Sequence, residues 1–293
     1  MEVIADLHLR PYYGDEDETD SLYHSEAKDG ATAFHDYATL YARVRNKRYT
    51  LAVRRLQDGD TASSVLAEFL GVLEGLDLGV KAVYLNGEFY GGKCLTPLHA
   101  HNVAYVTPII RWGDAIKDEL SRGWSRMIEH DLTTEFDGLF VTVEFPVHID
   151  CTYQNGHYDG HGVARHGYAA DAPFIETPRQ ARSHYRRRFG IESSYRLSEK
   201  TTISMTTQDP VRRLLFVVIS LLFPERLAVL ALGVRGDAPP RRALPLEVVV
   251  RGVHRHGNAG ILDGPRGAAG CPREQAAGRP LRAVIHRPGT SLR

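Results

Sequence analysis

The chain of 293 residues contains no apolar run of 18 or more residues, so no membrane-crossing helix is expected. Its first residues, MEVIADLHLRP, lack a basic stretch followed by an apolar one, and no signal peptide is expected. Cysteine is scarce: Cys94, Cys151 and Cys271 are odd in number, far apart and in no C-x-x-C pair. That usage excludes a disulfide framework and fits a reducing, cytoplasmic setting. No internal repeat is visible. From Pro224 onward the chain lacks lysine and every Phe, Tyr, Trp and Met, yet it holds 12 arginines and five acids, a net of +7. Residues 1–223 are left with 24 basic and 31 acidic residues, a net of −7, so the overall neutrality hides two unlike parts. A segment so poor in large side chains has little with which to build a core. The expectation is therefore one unit over residues 1–223 and an Arg/Pro/Gly-rich tail over 224–293, either disordered or translated out of frame.

What is present is a pattern of alternating strands and periodic helices. EVIADLHL alternates and reads as a strand with Asp6 in its middle, followed by an acidic, turn-rich loop to Gly30. ATAFHDYATLYARV and RYTLAVRRL read as a hairpin across Arg45-Asn46-Lys47. Asp60 is placed to cap a helix in which Val65, Leu66, Phe69, Val72, Leu73 and Leu76 recur at helical spacing. KAVYL is a short strand ending at Asn86, GGKCLTPLHAH a helix, and VAYVTPII another strand. Three strands, a helix, a strand, a helix and a strand suit an α/β chain with a ribonuclease-H-like mixed sheet flanked by helices. A charged helix follows near Asp114–Arg122, then a β-rich insertion over about 124–174. Helical character returns at TPRQARSHYRRRFGIESSYRLSEK, and Asp209-Pro210 supplies a cap and first-turn proline for VRRLLFVVISLLF.

Tyr185, Arg188 and Glu192 stand at i, i+3 and i+7, and Arg196 lies four further on, so a helix would put them on one face. An arginine can grip phosphate oxygens in a fork and a tyrosine hydroxyl can position them. A charged helix face in water is the plain alternative. Asp6 lies in an apolar strand, where an unpaired carboxylate is costly to bury. It could face solvent from an edge, pair with an arginine, or hold a metal. One acid on the first strand, one on a late helix and a strand ending at Asn86 together suit two-metal phosphoryl transfer, whose ions sit about 3.5–4 Å apart.

The blocks DLHLRPYYGDEDETD, TAFHDYATLYARV, RRLQDGDTASSVLAEFLGVL and AVYLNGEFY, with the Y-x-x-R-x-x-x-E of Tyr185, Arg188 and Glu192, resemble a DDE transposase. The likeness is to the insertion-sequence-four superfamily, particularly ISH-type elements of halophilic archaea, and it covers about residues 1–223. It implies a ribonuclease-H-like core holding two Mg²⁺, with cleavage at element ends and attack of the freed 3′-hydroxyl on target DNA. By resemblance Asp6, position 86 and Glu192 are the catalytic, metal-binding residues. Tyr185, Arg188, Arg196 and Lys200 would handle DNA phosphate, although Glu199 stands at the spacing where the family usually has lysine. DNA is the implied partner, homo-oligomerisation a further expectation, and no membrane is involved.

Three departures shape the functional expectation. Asn86 replaces the family's second aspartate, the chain starts five residues before Asp6, and an Arg/Pro/Gly tail replaces the family's aromatic-rich continuation. Together these resemble a truncated copy. Magnesium prefers anionic oxygen ligands, and an amide brings no charge. Glu88 could substitute only if the strand ran on past Asn86. The expectation is a transposase with weak or no strand transfer. The alternatives are a non-catalytic DNA-binding remnant and a related metal-dependent nuclease. A zinc site from Cys151, His157, His161 and His166 is disfavoured because the spacings miss the finger patterns. The basic run RSHYRRRFG could follow a DNA backbone or form a solvated helix face.

Overall fold

The computed structural model describes residues 1–16, 22–28, 30–44, 47–76, 78–136, 138–153, 163–189, 209, 211–222 and 284–286. Its strands are β1 (Glu2–Pro11), β2 (Tyr23–Lys28), β3 (Ala31–Val44), β4 (Lys47–Arg55), β5 (Ala82–Leu85), β6 (Tyr105–Pro108), β7 (Arg126–Phe136), β8 (Leu139–Tyr153), β9 (Val163–Asp171) and β10 (Val284–His286). Its helices are α1 (Ala62–Gly75), α2 (Gly92–Ala100), α3 (Asp114–Ser121), α4 (Pro178–Arg186) and α5, residues 211–222.

All the strands join one mixed sheet in the order β10-β8-β9-β6-β5-β1-β3-β2, with β4 also beside β3 and β7 also beside β8. At its centre β1, β5 and β6 run parallel, while β3 runs antiparallel to β1 and to β4. The path β4-β3-β1-β5-β6 therefore has β3 as its one reversed strand. The described residues between 124 and 174 include β7, β8 and β9. β9 pairs with β6 and β8 with β9, so this segment prolongs the central sheet.

Alternation along the strands builds two cores, one on each face. Val3, Ala5, Val83 and Leu85 point toward Leu66, Phe69, Leu95 and Ile116 of α1, α2 and α3. Ile4, Tyr84 and Val106 point the other way, toward Ala181 and Tyr185 of α4 and Val217 and Val218 of α5. Burying each large apolar side chain here contributes about 1.5–3 kcal/mol.

The local signals explain where the elements start. Thr61, rather than Asp60, caps α1: its hydroxyl accepts from the Ser64 N–H at 3.1 Å while the Ser64 hydroxyl accepts from the Thr61 N–H. Asp60 is held by Arg54 at 2.6 Å and by the Gln57 N–H at 2.8 Å, which removes it from the helix end. Thr177 caps α4 in the same reciprocal way with Gln180. Asp209 caps α5 as its sequence implies, accepting from the N–H groups of Val211 and Arg212 at 2.9 and 3.3 Å. The segment expected as loop up to Gly30 contains β2, which pairs with β3 through a shifted register between His24 and Lys28. That irregularity hides the alternation by which a strand is recognised.

Candidate functional site

β1 and β5 are parallel, with Ala5 opposite Leu85. The next residues along the two strands are Asp6 and Asn86. Ala5 and Leu85 belong to the α1/α2 face, so Asp6 turns to the face covered by α4 and α5. Both Asp6 and Asn86 are buried, 6% and 8% exposed. β5 stops at Leu85 and the chain tightens into a 3-10 turn over Gly87–Phe89, with Asn86 in extended conformation before it. The Thr107 hydroxyl donates to the Asn86 carbonyl at 3.1 Å and fixes the backbone there. The Asn86 side-chain oxygen is buried without a hydrogen-bond partner. Because of the turn, Glu88 does not continue the strand: it is exposed, and its charge acts on Tyr23.

From the opposite side α4 delivers Tyr185 and the following 3-10 turn, Arg187–Phe189, delivers Arg188. The continuous helix expected through Lys200 thus gives way after Arg186. Arg188 Nη2 donates to Asp6 Oδ1 at 2.7 Å and Nη1 to the Tyr185 hydroxyl at 2.5 Å. The Arg188 guanidinium also sits 5.3 Å from the centre of the Tyr185 ring. Burial opposes the Arg188 charge, but Asp6 and Tyr185 outweigh it and hold Arg188 above its ordinary value. Burial pushes the Tyr185 phenol up to about 12, with Arg188 pulling the other way. The phenol therefore stays protonated at neutral pH.

Two contacts fix α4 over the sheet. Arg182 Nη1 binds Asp150 Oδ2 on β8 at 3.0 Å. Nearer the other edge, the Tyr84 hydroxyl lies 3.3 Å from Glu2 Oε1 and 3.2 Å from His184 Nδ1. These anchors escape a reading by spacing because each joins residues at least 32 positions apart.

Glu192, Arg196 and Lys200 lie outside the described residues, as do His157 and His161. Of the zinc candidates that are described, Cys151 stands opposite Arg165 and His166 opposite Asp150, so Cys151 and His166 leave opposite faces of the sheet. No group of three or more His, Cys, Asp or Glu side chains among the described residues is arranged to hold a metal. Asp6 is engaged by Arg188, and Asn86 offers a neutral amide. With Glu192 outside the described residues, Asp6 and Asn86 are the two described members of the set that the family resemblance assigns to magnesium. The tail over 224–293 is described only at β10, which pairs with β8.

A further group went unnoticed in the sequence. On β3, His35 falls on the same face as Thr39, the partner of Asp6, and β4 places Arg55 opposite Tyr37 between them. His35 is 5% exposed, and neither ring nitrogen has a hydrogen-bond partner. Burial, with the positive charges of Arg213 and Arg55 adding to it, lowers its pKa to about 4. The signal available was the alternation His35-Tyr37-Thr39-Tyr41, which becomes informative only once β3 is paired with β1.

No protein-family model matches the chain, and no curated protein matches it. Among solved structures, it overlaps a piggyBac transposase synaptic complex with hairpin DNA at 11% identity and a TM-score of 0.47, covering 75% of this chain and 45% of that one. It also overlaps Marinitoga piezophila Argonaute in complex with a 5′-OH guide RNA at 9% identity and a TM-score of 0.25, covering 71% and 26%. The chain thus spans less than half the length of either structure. Likenesses this shallow carry no argument about activity. No helix among the described residues is long and apolar enough to cross a membrane.

Proposed function

We propose that the chain is a DNA-binding protein of DDE-transposase type, with a ribonuclease-H-like core and an impaired catalytic centre. The observation that carries this reading is the convergence of Asp6, Asn86, Tyr185 and Arg188 at one buried point on the central sheet. Its support from topology is the path β4-β3-β1-β5-β6 with β3 reversed, the order expected of a ribonuclease-H-like core. The finer placement among insertion-sequence-four elements rests on the sequence blocks alone.

The residues present can hold a phosphodiester better than they can cut it. Arg188 supplies a fixed charge, and the part of its planar fork not already donated to Asp6 and Tyr185 is suited to a phosphate oxygen. Tyr185 supports that fork and, with its raised pKa, is a poor proton acceptor at neutral pH. Asp6 orients the guanidinium through its own carboxylate. Asn86 occupies the position where a second acid would stand, and its amide can neither take a proton from water nor add negative charge. Binding without efficient cleavage follows. The non-catalytic DNA-binding reading is favoured over the metal-dependent nuclease for the same reason.

Purified protein and an Asn86→Asp variant would be compared for nicking of supercoiled plasmid and for joining of a labelled 3′-end into plasmid, both with Mg²⁺. The expected result is DNA binding by both, with cleavage at least tenfold faster in the variant, a difference of about 1.4 kcal/mol in the barrier. Equal cleavage or joining by the parent chain would overturn the impaired-centre reading. Cleavage without joining would favour the nuclease.

A further inference from the structure

We infer that the outer face of α4 is a track for the backbone of duplex DNA, with Arg179, Arg186 and Arg187 contacting phosphates beside the point marked by Asp6 and Arg188. The inference rests on the DNA-binding reading above for its partner and adds where the duplex lies.

α4 has two unlike faces. Ala181 and Tyr185 are buried against the sheet, whereas Arg179, Gln180, Ser183, Arg186 and Arg187 are exposed. The exposed positions recur at i, i+1, i+4, i+7 and i+8, which is one side of a helix. Gln180 is engaged in the cap with Thr177. What remains is three guanidiniums around one hydroxyl. From Arg179 to Arg186 the helix rises about 10.5 Å at about 1.5 Å per residue. Phosphates on one strand of a duplex recur about every 3.4 Å along its axis, so the span covers about three phosphate steps.

The charge on this face points to an anionic partner. Residues 178–189 hold five arginines and no acid, although residues 1–223 carry a net of −7. Arg182 is tied to Asp150 and Arg188 to Asp6. Among the described residues no ion pair takes up Arg179, Arg186 or Arg187. A helix face that is merely solvated ordinarily mixes the two signs, and its i,i+4 pairs support the helix. Here Arg182 and Arg186 stand at i,i+4 with like charge, which costs stability. Arg186, in the last turn, suits the helix dipole, but Arg179 stands in the first turn, where the dipole favours an acid and none is present. Helix stability therefore does not account for Arg179, and a phosphate alongside it does.

Beyond α4 the same sheet face turns acidic. Met127 stands opposite His148 and His148 opposite Tyr168, whose ring centre lies 5.1 Å from that of Tyr185. Alternation from Met127 puts Glu129, Asp131 and Glu135 on that side of β7, all exposed, with Asp131 opposite Glu144. These carboxylates repel a polyanion and hold the duplex to α4, away from the β7–β8 hairpin.

The test measures binding of the full chain to a fluorescein-labelled duplex by anisotropy, repeated over a range of salt concentrations. Arg179→Gln and Arg186→Gln should each weaken binding several-fold on any sequence. Each should also reduce the steepness of log K against log salt by about 0.9, the value for one phosphate contact, and the double variant by about 1.8. Arg179→Lys and Arg186→Lys keep the charge and should keep the slope. Lys117→Gln, on α3 over the opposite face, should change neither quantity. Both arginines are exposed, so the variants should melt where the parent does, and the single variants carry the comparison should the double melt early. A slope unchanged in the folded Gln variants, or reduced as far by Lys117→Gln, would overturn the track and leave the DNA-binding reading in place. A parent chain that binds no duplex would overturn both.

Discussion

Replacing Arg188 by methionine keeps the apolar stem of the side chain and removes the charge that faces Asp6. The pair is buried, with the Asp6 and Arg188 side chains 8% and 14% exposed, and its contact is 2.7 Å. In such surroundings two unit charges about 4 Å apart attract by about 4 kcal/mol at an effective dielectric of about 20. Removing one partner of a buried pair costs about 3–5 kcal/mol, because the other is left without its counter-charge. With a urea slope of about 2 kcal/mol per molar, Arg188→Met should lower the unfolding midpoint by about 1.5–2.5 M. Asp6→Leu combined with Arg188→Met should regain most of that loss, since replacing both charges by apolar groups removes the desolvation penalty as well. The assay is urea unfolding followed by circular dichroism for the parent, both single variants and the double. A midpoint shift below about 0.3 M for Arg188→Met, or strictly additive effects in the double, would show that Asp6 and Arg188 are not coupled. Duplex affinity measured on the same proteins should fall in every variant lacking Arg188.

His35 makes stability depend on pH in a defined window. Its folded pKa of about 4 lies below the ordinary 6.5, so between these values the unfolded chain binds the proton more readily. The stabilisation is complete above pH 6.5 and is lost as pH falls toward 4, by at most about 3 kcal/mol. His35→Gln should therefore flatten the fall in unfolding free energy between pH 7 and pH 4 relative to the parent, and an unchanged fall would refute the burial of a neutral ring. At Gly167 a Cβ would stand 2.6 Å from Ile109 Cγ1, so Gly167→Ala should cost about 1–3 kcal/mol in thermal or urea unfolding. Ile109→Ala in the same chain should recover part of that loss, and no recovery would place the strain elsewhere.

Much of the sheet is legible because its central strands are long, regular and half buried. Alternation in β1 and β3 and the caps around α1 and α5 mark their elements directly. Adjacent signals blur the details: Thr61 and Asp60 can both cap a helix, and only the approach of Arg54 shows that Asp60 is already occupied. β2 is hidden by its register shift, and the 3-10 turn after α4 has no pattern distinct from one more helical turn. For the site, Asp6 is conspicuous as an acid in an apolar strand, Asn86 as a polar stop, and Tyr185 with Arg188 by spacing. Their union is not written in any local stretch. Arg188 and Asp6 are 182 positions apart, and local periodicity does not encode the sheet register and anchors that make them meet. His35 is invisible for the same reason, since its neighbours Arg55 and Arg213 come from other elements.

The pairing of β9 with β6 acts as a length gauge for the molecule. β9 ends at Asp171 opposite Tyr105, and α4 begins at Pro178, so the register of that pair sets how far along the sheet Arg188 arrives. A slip of two residues would keep every side chain on its proper face yet displace the helix by about 6.6 Å. A contact of 2.7 Å cannot survive such a shift. Changes in length at the tip between Phe136 and Leu139 lie off this measured path and leave the spacing alone. The margin for insertions and deletions in this chain is therefore wide at the hairpin tip and narrow along β6 and β9.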